Sequence, residues 1–228
     1  MMRLNVLKSI FKKSNKSIIM EHNKYYQMMK VEIVNSIISD DIRGFALSLL
    51  NKVPEYFFTV PASSSGKYHP KNDLGEGGLV RHSISVERML KHLLEPDEYF
   101  DFTPRQVDLL IVAALFHDCL KSGTQEEYEQ GKHTKFLHPL YASNFIMTQS
   151  VLMGFNYNDA LFISSAIISH MGQWNTSKNG PGKLPTPETP AQKALHLADY
   201  LASRKDINME VEVEENDNEL TPTEEVKE

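Results

Sequence analysis

The dipeptide His117-Asp118 lies in Val112-Ala-Ala-Leu-Phe-His-Asp-Cys-Leu120, a run that is otherwise apolar. An imidazole and a carboxylate buried side by side are costly unless they are paired, hydrogen-bonded or bound to a cation. His82, His138, His170 and Asp199 also interrupt apolar helical segments. Taken singly, each has an ordinary reading: a satisfied core histidine, a helix cap for His138, an ion-pair partner for Asp199. Taken together, five segments bring imidazoles or carboxylates into apolar contexts, and the joint pattern predicts a metal-dependent hydrolase site. Neighbouring helix positions point about 100° apart, so His117 and Asp118 would approach a cation from its two flanks. A carboxylate has two oxygens and can bridge two ions, which an imidazole cannot do. Mixed imidazole and carboxylate ligation suits Mn, Fe, Co, Ni or Zn better than a pure magnesium cage, with Mg still admissible.

The elements that must position these residues read as helices throughout. Asn23 to Ser39 and Asp41 to Lys52 carry apolar residues at intervals of three and four. Residues 60–66 and 75–78 read as loops, the second opening into a helix over Leu79–Leu94. Thr103-Pro104 supplies a capping hydroxyl and a proline at the first helical position. That helix is expected to run through His117-Asp118 and to stop near Gly123. Residues 122–135 are polar and read as an exposed loop. His138-Pro139 starts the next helix, which Met153-Gly154 ends, and Asn156 or Asn158 caps another that reaches His170. Residues 172–190, rich in Gly, Pro, Ser and Thr, form a long loop of the kind that often serves as a lid. A last helix from Pro190 to about Arg204 carries Asp199. No internal repeat and no pair of alternating strands is present, and the fold class predicted is all-α.

A chain of 228 residues suits one globular domain with a core of adequate size. Its single cysteine, Cys119, excludes an internal disulfide framework, fits a reducing cytosol and reads as a small core thiol. No apolar stretch is long enough to span a bilayer. At the start, Lys12, Lys13 and Lys16 follow the apolar residues, unlike a secretory signal. A cytoplasmic protein without stable membrane insertion is expected. Nine acidic residues and one lysine give residues 207–228 a charge of −8, which leaves +2 on residues 1–206 of a chain whose total is −6. Three parts follow: a basic amphipathic segment (1–20), a helical catalytic domain (21–206) and an acidic tail (207–228), expected to be disordered beyond its first residues. In the first part Leu4, Val6, Leu7, Ile10 and Phe11 follow helical spacing among lysines. It could pack on the body, lie on a membrane surface or bind an acidic partner.

The ordered set resembles the HD-domain superfamily of metal-dependent phosphohydrolases. The likeness is carried by Gly77-Gly78-Leu79-Val80-Arg81-His82, Leu115-Phe116-His117-Asp118-Cys119-Leu120-Lys121, Leu137-His138-Pro139, Ile168-Ser169-His170-Met171-Gly172 and Leu195-His196-Leu197-Ala198-Asp199. It covers roughly residues 68–206. Within the superfamily the chain is most similar to the HD domain of YhaM-type 3′-exoribonucleases, through the Gly-Gly-Leu opening, Ser-His-Met-Gly and the Pro-rich loop before Leu195. Residues 1–67 are too short and too helical for the nucleic-acid-binding barrel of those enzymes.

The resemblance implies an HD helical bundle with flanking N-terminal helices. It implies one divalent ion between His82, His117, Asp118 and Asp199, and a second held by His138 and His170 together with Asp118. The implied activity is cleavage of a phosphoester of a nucleotide, or of a single-stranded nucleic-acid 3′ end, by a metal-activated hydroxide. The alternative is a non-catalytic module that binds a nucleotide or metal and reports it to a partner. Asp118 and Lys121 are the expected catalytic residues, with the Lys121 ammonium offsetting phosphate charge; otherwise Lys121 is an ordinary helix-end lysine. Arg81, Lys121, His133 and Trp174 are candidate substrate contacts, alongside Tyr68, Lys132, Lys135, Lys178 and Lys183 in flanking loops. His69 or His133 could protonate the leaving group, and His196 either orients a ligand or simply packs.

Overall fold

The most apolar stretch of the chain becomes the central helix of a bundle. A computed structural model describes residues 23–63, 66–67, 69–95, 100–131, 133–177, 182–207, 209 and 211. The expectations for residues 1–20, for most of the acidic tail, and for Tyr68, Lys132 and Lys178 lie outside the described residues. The helices are α1 (Lys24–Ser36), α2 (Asp40–Leu50), α3 (Gly78–Leu94), α4 (Pro104–Phe116), α5 (Gln125–Gln130), α6 (His138–Met153), α7 (Tyr157–Ile168) and α8 (Pro190–Ala202). Short 3-10 turns occupy Glu55–Phe58, Lys71–Asp73 and Gly172–Trp174. Among the described residues the only extended pairing is an isolated antiparallel bridge between Thr176 and Lys183. The all-α class holds.

Helix α4 opens on a capping box, in which the Thr103 side chain accepts from Gln106 N and the Gln106 side chain accepts from Thr103 N. Every residue from Asp108 to Phe116 is buried. A helix that is apolar all round has to be surrounded, and α1, α2, α3, α7 and α8 all pack on it. The one carboxylate in that stretch, Asp108, accepts from Ile38 N at 3.1 Å and Ser39 N at 2.7 Å. It thereby supplies the acceptor at the head of α2, where Ser39 makes no side-chain cap.

Two expected boundaries move. Helix α4 stops at Phe116 rather than continuing toward Gly123, and His117 is its C-cap. The His117 ring takes the Ala114 carbonyl at 2.7 Å, the acceptor that the next helical turn would have used. From there the chain tightens into i→i+3 bonds, Cys119 N to Phe116 O, Lys121 N to Asp118 O and Gly123 N to Leu120 O. Tyr56 clamps this turn, its hydroxyl donating to Gly123 O and accepting from Ser122 N. Cys119 is buried there, and burial pushes its thiol up, which suits an inert core residue. The polar segment 122–135, expected to be loop, contains the short helix α5. Thr124 and Glu127 form its capping box, a Ser/Thr-x-x-Glu signal visible in the sequence.

The loop before α3 explains the Gly77-Gly78 pair. A Cβ at Gly77 would lie 2.3 Å from the Tyr25 ring, and one at Gly78 would lie 2.1 Å from Asp73 O. Gly77 also has φ of 69°, which a side chain disfavours. At the other end Val211 is buried and joins the core, so the packed body extends past residue 206. No helix among the described residues is long and apolar enough to cross a membrane.

Glu87, fully buried on α3, is ion-paired with Lys91 at 2.8 Å and lies against Glu32 of α1. Burial, reinforced by Glu32 and opposed by Lys91, pushes its carboxyl up to about 7. The folded state then keeps a proton that the unfolded chain has released. The corresponding stability is fully present below about pH 4.5 and is lost as pH rises through 7. Wild-type stability, measured by urea unfolding, should fall relative to Glu87→Gln by on the order of 2 kcal/mol between about pH 4.5 and 8.

Candidate metal centre

The six expected ligands come from five places in the chain and meet in one cluster. His82 sits in the early part of α3, His117 caps α4 and Asp118 follows it. His138 is the first residue of α6, His170 lies two residues beyond the end of α7, and Asp199 is on α8. All are buried except Asp199, whose side chain is 19% exposed.

Three of the four imidazoles are fixed by the same local device. Nδ1 of His117, His138 and His170 faces the carbonyl three residues earlier: Ala114 O at 2.7 Å, Lys135 O at 2.8 Å and Ile167 O at 2.8 Å. A carbonyl can only accept, so each Nδ1 carries the proton and each Nε2 presents a lone pair. The fourth, His82, places Nδ1 at 3.1 Å from Asp73 Oδ2 and Nε2 at 3.1 Å from Asp199 Oδ1.

The Nε2 atoms of His117, His138 and His170 surround the two oxygens of Asp118. On the Oδ2 side, His117 Nε2 stands at 3.5 Å and is itself 3.7 Å from Asp199 Oδ1. On the Oδ1 side, His138 Nε2 is at 2.9 Å and His170 Nε2 at 3.7 Å, with 3.2 Å between the two imidazole nitrogens. Among the described residues, His117 Nε2 and Asp118 Oδ1 are buried without a hydrogen-bond partner. Lone pairs and carboxylate oxygens gathered at such distances repel one another unless a proton or a cation lies between them. The donor set therefore fits divalent cations. His82, His117 and Asp199 offer one close group of three ligand atoms, and His117, Asp118 and His170 another.

The electrostatics of the chain's own groups agree. Burial pushes His170 down to about 3 and lowers His117, keeping both imidazoles neutral. For Asp118 and Asp199 burial acts upward but is outweighed. The Lys121 ammonium holds Asp118 well below the usual carboxylate range, and the hydrogen bond from His82 does so for Asp199. Burial would also lower His82, yet hydrogen bonds to Asp199 and Asp73 lift it to about 9.

The cluster forms the floor of a cavity of about 640 Å³. Lys121 and Trp174 line it as expected, and the Lys121 ammonium is 2.5 Å from Asp118 Oδ2. His69 lines it too, with Nδ1 3.1 Å from Asp73 Oδ2. Two other expected contacts do not belong to it. Arg81 is buried and spends Nε, Nη1 and Nη2 on the carbonyls of Asn72, Glu76 and Leu74, clamping the 71–77 loop instead of facing a substrate. His133 and Lys183 are exposed and Lys135 half-buried, and all three are outside the cavity lining. His196 bonds through Nδ1 to the carbonyl of His170 at 2.7 Å, which fixes the backbone of that ligand position.

Asp73 was missed by sequence reasoning. It is buried, and its Oδ2 accepts from both His69 and His82. It sits in a polar loop with no apolar periodicity around it, so only its spacing of four from His69 could have drawn attention. Tyr200, Ser203 and Arg204 also line the cavity and carried no signal beyond their place at the end of a helix.

A family model described as HD domain matches residues 79–204, a segment that contains all six clustered residues and leaves His69 and Asp73 outside. No curated protein and no solved structure matches the chain. Removing the carboxylate behind a ligating imidazole typically weakens metal binding 10- to 100-fold. Asp73→Ala should therefore lower the affinity for Zn or Mn by about 10- to 100-fold, measured by competition with a chromogenic chelator, while circular dichroism shows an intact fold.

Proposed function

The chain belongs to the HD-domain family, and from that premise we propose that it is a metal-dependent phosphohydrolase cleaving a phosphoester of a nucleotide or of a short nucleic-acid 3′ end. The observation that carries the reading is Asp118, whose two buried oxygens face two separate groups of imidazole and carboxylate donors. In this reading His82, His117, Asp118 and Asp199 hold one ion, and Asp118, His138 and His170 hold a second. Divalent cations there supply Lewis-acid polarisation of a phosphoryl oxygen and a lowered pKa for the attacking water. Mn, Fe, Co, Ni and Zn suit the mixed nitrogen and oxygen set, with Mg also admissible.

The chain's own residues provide the rest. Lys121, held at Asp118 and lining the cavity, brings an ammonium to a phosphate oxygen and offsets its developing charge. His69, fixed by Asp73 at the cavity wall, would exchange a proton with the leaving group in preference to His133, which is exposed and outside the lining. The catalytic unit is residues 21–206 together with the buried Val211, flanked by the basic segment and the acidic tail. The single buried Cys119 suits a cytoplasmic setting. The motifs shared with YhaM-type exoribonucleases support a 3′-end substrate. The helices α1 and α2 precede the segment matched by the family model, so any such activity would proceed without a barrel in residues 23–58.

Hydrolysis of bis-p-nitrophenyl phosphate, nucleotides, cyclic nucleotides and short RNA and DNA, screened with each metal, tests the reading. Turnover should require metal and fall by on the order of 10²–10³ in Asp118→Ala, with metal analysis showing fewer ions bound. Lys121→Gln should lower kcat by about 10-fold or more while keeping the metal content. Tight metal and nucleotide binding with no turnover would favour the non-catalytic module instead.

A further inference from the structure

One wall of the cavity is aromatic, and neither ligand geometry nor phosphate chemistry uses it. Trp174, the chain's single tryptophan, is 46% exposed although it lines the cavity. Its ring stacks on Tyr200 at a centroid distance of 5.6 Å and an angle of 18°. The Arg204 guanidinium lies 4.5 Å from the Tyr200 ring centre. Arg204 Nε is buried without a hydrogen-bond partner among the described residues. The stack is thus rigidified from within, while one indole remains open to the cavity.

Two elements join the wall to the cluster: the 3-10 turn after His170, which carries Trp174, and α8, which carries Tyr200. Asp199 belongs to the cluster and Tyr200 follows it on α8, while Ser203 and Arg204 lie just past the helix end, and all four line the cavity with Trp174. A phosphate at the histidine–aspartate floor would therefore place whatever it is attached to against the aromatic wall. A flat, exposed indole backed by a second ring suits a flat π-face, and stacking on it tolerates any base.

We propose that Trp174, supported by Tyr200 and Arg204, is a nucleobase-stacking platform that selects a nucleotide unit over other phosphoesters. This rests on the proposed phosphohydrolase reading only in seating the phosphate at the histidine–aspartate floor. The platform reads the presence of a base rather than its identity, with purines favoured by their larger face.

Because Trp174 is the only tryptophan, its fluorescence reports directly on the platform. The full-length protein with its metal is titrated with adenosine 5′-monophosphate and with ribose 5-phosphate, which keeps the sugar and phosphate but lacks the base. Emission is read on mixing, before turnover. Adenosine monophosphate should quench saturably and ribose 5-phosphate should not. By calorimetry, Trp174→Ala should weaken adenosine monophosphate about 10- to 100-fold and leave ribose 5-phosphate unchanged, with Trp174→Phe recovering much of the loss. Equal affinity for the two probes, absence of binding by adenosine monophosphate, or an unaffected Trp174→Ala would overturn the proposal. Quenching without hydrolysis of any phosphoester would keep the platform and sink the enzyme reading. Hydrolysis with no response of Trp174 would do the reverse.

Discussion

The structure depends on a carboxylate, Asp118, held in the interior among imidazoles that have already committed their protons elsewhere. With Nδ1 of His117, His138 and His170 donating to carbonyls, their Nε2 lone pairs can turn only toward one another and toward Asp118. Such a convergence is unfavourable in the bare chain and favourable around cations. Every other part of the site can be understood as bringing that convergence about. Lys121, ion-paired with Asp118, relieves it from the protein side.

The scaffold meets this demand by ending helices at the site. Histidines at helix termini bond the carbonyl three residues back, so a local turn also fixes a tautomer. The termini are held in place by an apolar core centred on α4, which packs against five other helices. Behind the first layer, Tyr56 fastens the turn after His117 and His196 fastens the backbone at His170. The loop that carries Asp73 is secured by Arg81 and by the close approach of Gly77 and Gly78. That loop lies outside the segment matched by the family model, yet it orients the His82 imidazole.

The cavity above the cluster is asymmetric, with His69 and Lys121 near the floor and an aromatic and cationic wall formed by Trp174, Tyr200 and Arg204. Charge near the floor and an open π-face beside it are the two demands of a nucleotide. Both arise from short stretches that leave the ends of helices, where side chains face a shared opening rather than the core.

The identity and order of the clustered residues were legible in the sequence because each breaks an apolar pattern, and a polar group in such a place needs a partner. The all-α class followed from periodicity, the entry of α4 from Thr103-Pro104, and the short α5 was readable from Thr124 and Glu127 although its polar composition argued for loop. The end of α4 was not legible, because it is decided by a side-chain ring competing with the backbone for the Ala114 carbonyl. Nor were the functions of Arg81 and Asp73. A basic residue beside His82 and an acidic residue in a polar loop look alike in sequence whether they face a substrate or a carbonyl. Sequence by itself determined which residue types had to converge, since burial penalties depend on type and context. Tertiary structure alone decided which atoms of those residues face the centre, because the direction of a lone pair is set by partners brought from distant parts of the chain.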